Sequence, residues 1–198
     1  MSELFITPAG LVYLYPWHFS PKPRFGGFKP PCGEGKVKHD VLAQSAITAT
    51  YIYLDNTRLA QLTLKKKGLI FKHDAVVATK TSPHAGMQGY LTRRMAPLKV
   101  GEREEVFKLV ADNVEVASPP RYLLNKILEY DVKPSPIAIA GKIDCDKVAH
   151  LRSQAEALRN LVVHYRETRP KLYKALWEDS KRILASMQIE EEEDYDYD

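Results

Sequence analysis

The chain has 198 residues, 44% hydrophobic and 27% charged, which is enough for one core or two small ones. Cys32 and Cys145 are its only cysteines and no Cys-x-x-Cys pair occurs, which argues against a zinc ribbon or finger; no run approaches the roughly 20 apolar residues of a membrane span. The formal charge of +4 conceals an asymmetry, since residues 190–198 hold seven acids and no base while residues 1–100 hold 14 Lys and Arg against five Asp and Glu.

A basic half of this kind invites phosphate or another acidic surface, because each phosphate neutralised releases condensed counterions. Met1-Ser2-Glu3-Leu4 lacks the basic start of a signal peptide. Two reduced thiols are therefore expected, in a cytoplasmic protein or in a particle assembled in the cytoplasm. A Cys32–Cys145 disulfide is the alternative, which sequence alone does not decide.

In chain order, Leu4–Ile6 and Leu11–Tyr15 read as short strands separated by Pro8, Ala9 and Gly10. Residues 16–35 then carry five prolines and four glycines, which excludes a helix or a central strand and predicts an extended arm. Trp17, Phe19, Phe25 and Phe28 alternate there with Lys22, Arg24 and Lys29. Aromatic faces stack on bases while Lys and Arg meet phosphates, so the mixture suits a nucleic-acid arm. An arm whose aromatics pack on its own domain explains the same residues.

Val37–Ala46 reads as a short helix, and the β-branched and aromatic run Ile47–Leu54 as a strand. Leu59–Leu64 alternates as a half-buried return strand, Lys65-Lys66-Lys67-Gly68 as a basic turn, and Leu69–Phe71 and Ala75–Ala78 as further strands around a turn at His73-Asp74. Residues 80–101 look like a loop, to which Arg93 and Arg94 add positive charge. Glu102–Ala111 has helical character, Ser118-Pro119-Pro120 is a helix start, and Pro134–Gly141 is a connector with a short strand at Ile137–Ala140.

From Asp144 onward the apolar residues fall three and four apart: Val148, Leu151, Ala155, Leu158, Val162 and Tyr165, then Leu172, Leu176, Ile183 and Met187. Thr168 and Pro170 mark a restart, so two helices joined by a short turn form a helical hairpin. The acidic run that follows suits a disordered tail, a phosphate mimic that competes for the basic half, or a contact with another subunit.

Catalytic motifs are sparse. His73, Asp74 and His84 are too few and too scattered to predict a metal, and neither a metal nor a cofactor is expected. Arg159-Asn160-Leu161-Val162-Val163-His164, followed by Tyr165, resembles the R-x4-H motif of HEPN-domain ribonucleases and toxins. That resemblance implies metal-independent RNA cleavage, with His164 as general acid/base and Arg159 stabilising the phosphorane charge. Without it, Arg152, Arg159 and Arg166 form a basic stripe with a seven-residue repeat beside the apolar seam.

The sequence thus predicts an α+β protein, with an N-terminal extended basic arm and small antiparallel sheet, then a C-terminal helical bundle ending in a hairpin and acidic tail. Its expected divisions are residues 1–35, 36–101, 102–189 and 190–198. The expected function is a non-enzymatic subunit of a nucleoprotein assembly, oligomeric and away from membranes, that contacts the DNA or RNA backbone. Lys22, Arg24, Lys29, Lys65, Lys66, Lys67, Arg93, Arg94, Arg152, Arg159 and Arg166 are its candidate contacts. In layout it is similar to coat proteins of filamentous archaeal viruses, which wrap DNA. A HEPN-like ribonuclease is the alternative, and an adaptor for an acidic protein partner the third.

Overall fold

A computed structural model describes residues 6–22, 27–33, 35–68, 73–87 and 89–188. It is a mixed α+β structure in which several helices accompany a small three-stranded antiparallel sheet. Helices α1 (Pro8–Leu14) and α2 (His39–Asn56) replace two expected strands. Leu4 and Phe5 of the first expected strand lie outside the described residues. In α1, Thr7 caps the helix by accepting from the Gly10 amide at 3.0 Å, and Pro8 fills the first turn.

Every residue of α1 is buried, and α2 buries eleven of its residues, Leu42, Ile47, Tyr51, Ile52 and Leu54 among them. A helix covered on all sides shows no 3.6-residue period, and β propensity then misleads. Packing overrides it here. Helix α2 is the central element, in contact with α1, with β1 (Ala60–Lys67), and with α4 (Pro119–Ile127), α6 (Arg152–Thr168) and α7 (Pro170–Ala185).

Strand β1 pairs antiparallel with β2 (His73–Lys80), and β2 with β3 (Arg103–Glu105). The register sets Leu62 opposite Ala78 and Lys66 opposite Asp74, so Lys65, Lys66 and Lys67 lie in the strand and not in a turn. His73 and Asp74 likewise belong to β2. Beyond Leu62 the strand runs past the core, and its exposed lysines erase the alternation that marks a half-buried strand. Leu69–Phe71, expected as a strand, falls in the undescribed 69–72.

The expected loop over 80–101 contains two turns of tight helix, Pro83–Met87 and Tyr90–Met95. The expected helix at 102–111 divides into β3 and α3 (Val106–Val110). Helix α4 begins at Pro119 as expected. Strands β4 (Ala138–Ile139) and β5 (Lys142–Ile143) form a two-residue hairpin over Ala140 and Gly141, both at positive φ.

Asp144 caps the one-turn α5 (Cys145–Ala149) ahead of α6. The α6–α7 junction is the single residue Arg169 with Pro170 in the first turn, while the Thr168 hydroxyl donates back to the His164 carbonyl at 2.8 Å. Thr168 is thus no cap for α7. Tyr165 donates to Asp55 at 2.8 Å and Arg169 pairs with the same carboxylate. Asp55 also accepts from the Leu62 amide at 2.6 Å, so the junction is fastened to the end of α2 and the start of β1.

One buried apolar cluster takes residues from Ile6 to Met187, with Phe19, Phe28 and Cys32 of the Pro/Gly-rich segment packed against it. Phe28 exchanges backbone hydrogen bonds with Val37 at 2.8 and 3.0 Å, and its ring meets Tyr13 edge-on at 5.0 Å. Cys32 and Cys145 form a disulfide that ties this segment to α5. The expectation of two reduced thiols is therefore corrected: the fold brings together two cysteines 113 positions apart, a proximity with no local signature. Among the described residues no helix is long and apolar enough to cross a membrane.

Candidate nucleic-acid interface

Helix α7 buries Leu172, Leu176 and Ile183 and turns Lys171, Lys174, Glu178 and Arg182 the other way, at spacings of three and four. The β1–β2 hairpin stands opposite with Leu64, Lys66, His73 and Asp74. Between them is a cavity of about 1050 Å³. Asp179 fixes its walls. This residue is 1% exposed, accepts from the Val76 amide at 2.8 Å and pairs with Arg182, so α7 is bonded directly to β2.

Burial holds the Asp179 carboxyl above the usual carboxylate range, against the pull of the Val76 amide and of Arg182. The groove itself is cationic. Lys66, Lys171, Lys174 and Arg182 line it against Asp74 and Glu178. Lys66 pairs with Asp74 at 2.8 Å and Glu178 with Lys181 at 2.9 Å, which leaves Lys171 and Lys174 without an ionic partner among the described residues. An acidic ligand laid along this groove meets two uncompensated ammonium groups.

The other face of the hairpin carries a smaller excess of positive charge, with three bases against two acids. Lys65 shares a smaller cavity with Arg103, Lys108, Glu104 and Glu105. Lys67 pairs with Glu105 at 2.6 Å and Lys108 with Glu104 at 3.4 Å. The hydrogen bond from Lys67 holds the Glu105 carboxyl below its ordinary range.

The remaining candidates scatter. Arg93 and Arg94 converge on Asp112, Arg94 at 2.9 Å, and Arg93 lies 3.7 Å over the Tyr90 ring. Tyr90 and Tyr122 also donate to Asp112, so both guanidinium groups are committed within the fold. Arg152 pairs with Glu156 at 3.0 Å on α6. Lys22 and Lys29 are exposed on the segment before α2, and Arg24 lies outside the described residues.

Arg159 and Arg166 line a separate cavity of about 270 Å³ together with His18, Thr48 and Trp177. His164 is exposed and does not share it, so the structure does not bring Arg159 and His164 to one cavity. His73 and Asp74 belong to the groove, whereas His84 is exposed elsewhere. Residues 190–198 lie outside the described residues.

Lys171 and Lys174 were not among the sequence candidates. Their signal was the polar face of the same helix whose apolar face identified it. Comparison with protein-family models, curated proteins and solved structures finds no match to this chain.

Proposed function

We propose that this chain is a non-enzymatic nucleic-acid-binding protein, a subunit of a nucleoprotein assembly. Its groove between the β1–β2 hairpin and α7 takes the phosphate backbone. The observation that carries the reading is the pair Lys171 and Lys174, unpaired among the described residues, in a cationic groove beside Lys66 and Arg182. Lysine is a flexible point charge and not a bidentate fork, so contacts of this type track phosphates and carry no base sequence. Of the three lysines of β1, Lys66 lies in this groove.

The test is a gel shift with labelled RNA and DNA in metal-free buffer, with the strands afterwards run under denaturing conditions. The reading expects salt-sensitive complexes and intact strands. Shortened RNA whose production is lost in His164→Ala would overturn it in favour of a HEPN-like ribonuclease. Absence of a complex near 0.1 M salt would overturn it in favour of an acidic protein partner.

A further inference from the structure

The cavity of about 270 Å³ on the opposite side of α7 is lined by two residues, Thr48 and His18, that each hold a buried polar atom without a partner among the described residues. Thr48 is 1% exposed, on α2, and its hydroxyl has no partner among the described residues. Helical threonines usually donate back to the carbonyl four residues earlier, as Thr50 does to Ala46 at 2.8 Å in the same helix. Thr48 does not. The His18 Nε2 atom, at the end of the tight turn Pro16–His18, is also buried and unpartnered. Buried polar atoms without partners, on two residues that line one cavity, are unfavourable unless something else satisfies them.

The rest of the wall says what that something is. Arg159 and Arg166 line the cavity from α6, and neither has a hydrogen bond or ion pair among the described residues. Among the described residues no carboxylate lines it, and Glu156, which acts on His18 from α6, is occupied by Arg152 at 3.0 Å. Tyr173 and Trp177 form a stacked pair on α7, with planes inclined by 13°, along the third side. Two guanidinium forks suit a phosphate, which accepts from both. Aromatic walls suit a planar ring, and the Thr48 and His18 atoms suit the polar edge of that ring. The volume lies just below the roughly 300–1,000 Å³ of ordinary ligand pockets, which limits the occupant to about the size of a single nucleotide.

We propose that this cavity is a mononucleotide site: the phosphate on Arg159 and Arg166, the base against Trp177, and the edge of the base within reach of the Thr48 hydroxyl and His18. The ligand is a nucleoside monophosphate, either free or as the 5′-terminal nucleotide of a strand. The site goes beyond the groove reading and stands without it, because it uses a different face of α7 and none of the groove's lysines.

Intrinsic tryptophan fluorescence and calorimetry test it with four probes: a nucleoside monophosphate, the nucleoside alone, inorganic phosphate, and a 5′-phosphorylated pentanucleotide. The monophosphate is expected to bind saturably and at least about tenfold tighter than the nucleoside or phosphate alone. Arg159→Ala and Arg166→Ala, both at exposed positions, each weaken it by more than about tenfold through loss of a charge-assisted bond. Thr48→Val weakens it while leaving the melting temperature unchanged or raised, since the hydroxyl satisfies no group among the described residues. Competition by the pentanucleotide identifies a strand end as the source, and its failure to compete identifies the free nucleotide.

Lys171→Ala with Lys174→Ala leaves the monophosphate affinity intact, which separates this site from the groove. The proposal is overturned if the monophosphate does not saturate. It is also overturned if phosphate alone binds as tightly, or if affinity is indifferent to Arg159, Arg166 and Thr48.

Discussion

Asp131 is a carboxylate held where ionisation is unfavourable, and Asp131→Asn isolates the size of that effect. The residue is 4% exposed, at the end of the widened helical turn Leu128–Val132 that follows α4. It accepts from the Thr7 hydroxyl at 2.6 Å and from the Tyr90 amide at 3.2 Å, joining the cap of α1 to the tight turn at 90–95. Gly89 passes beside it at φ 88°, where a side chain would collide with the carboxylate. Burial pushes the Asp131 pKa up to about 6, from 3.8, and the two hydrogen bonds only partly oppose this.

Because the folded pKa is the higher one, the folded state keeps its proton at pH values where the unfolded state has lost it. Stability linked to Asp131 is therefore complete below about pH 4 and is lost as pH rises through about 6. A displacement of about two units corresponds to about 3 kcal/mol. Asparagine carries no charge to desolvate, its carbonyl can accept from Tyr90, and the Thr7 hydroxyl can turn to accept from its amide. Guanidinium unfolding of both proteins from pH 4 to pH 7.5 measures the difference. Asp131→Asn should gain about 3 kcal/mol on the parent chain across that range, with the change centred near pH 5. Two parallel stability profiles would refute the reasoning.

Three further outcomes follow from other parts of the fold. Reducing the Cys32–Cys145 bridge, which closes a loop 113 residues apart in sequence, should lower unfolding stability by about 2–5 kcal/mol; two reactive thiols in the untreated protein would contradict the bridge. Asp179→Ala removes the acceptor of the Val76 amide and strands Arg182, which is 38% exposed and relaxes into water, so a loss of about 3 kcal/mol is expected. Asp179→Asn, whose carbonyl still accepts from Val76, should lose less in the same denaturant titration. Arg58 holds φ 58°, so Arg58→Gly should stabilise by up to about 1 kcal/mol by thermal unfolding, and destabilisation would mean its side chain contributes.

What was legible in the sequence follows from how elements meet solvent. Helices α6 and α7 are amphipathic, so the apolar spacing around Leu158 and Leu176 marked both, and Ser118-Pro119-Pro120 announced α4 by its first-turn chemistry. Helices α1 and α2 are covered on every side, so no periodicity survived, and the β-branched and aromatic run at Ile47–Leu54 pointed the wrong way. Lys65–Lys67 looked like a turn because both faces of that strand are exposed.

The candidate site was less legible, for the same reason. Isolated basic clusters carry no record of their partners: Arg93 and Arg94 are claimed by Asp112, nearly twenty residues on, and the Arg152 charge by Glu156. The cavity that joins Arg159 to His18, Thr48 and Trp177 draws on four separate segments, and only folding brings them together.

The groove is tested most directly by the salt dependence of duplex binding in the parent chain and in the Lys171→Ala/Lys174→Ala double variant. Each lost phosphate contact lowers the slope of log affinity against log salt by about 0.9. Removing both lysines should flatten it by nearly two and weaken binding equally for unrelated sequences. An unchanged slope with unchanged affinity would contradict the groove as the nucleic-acid surface.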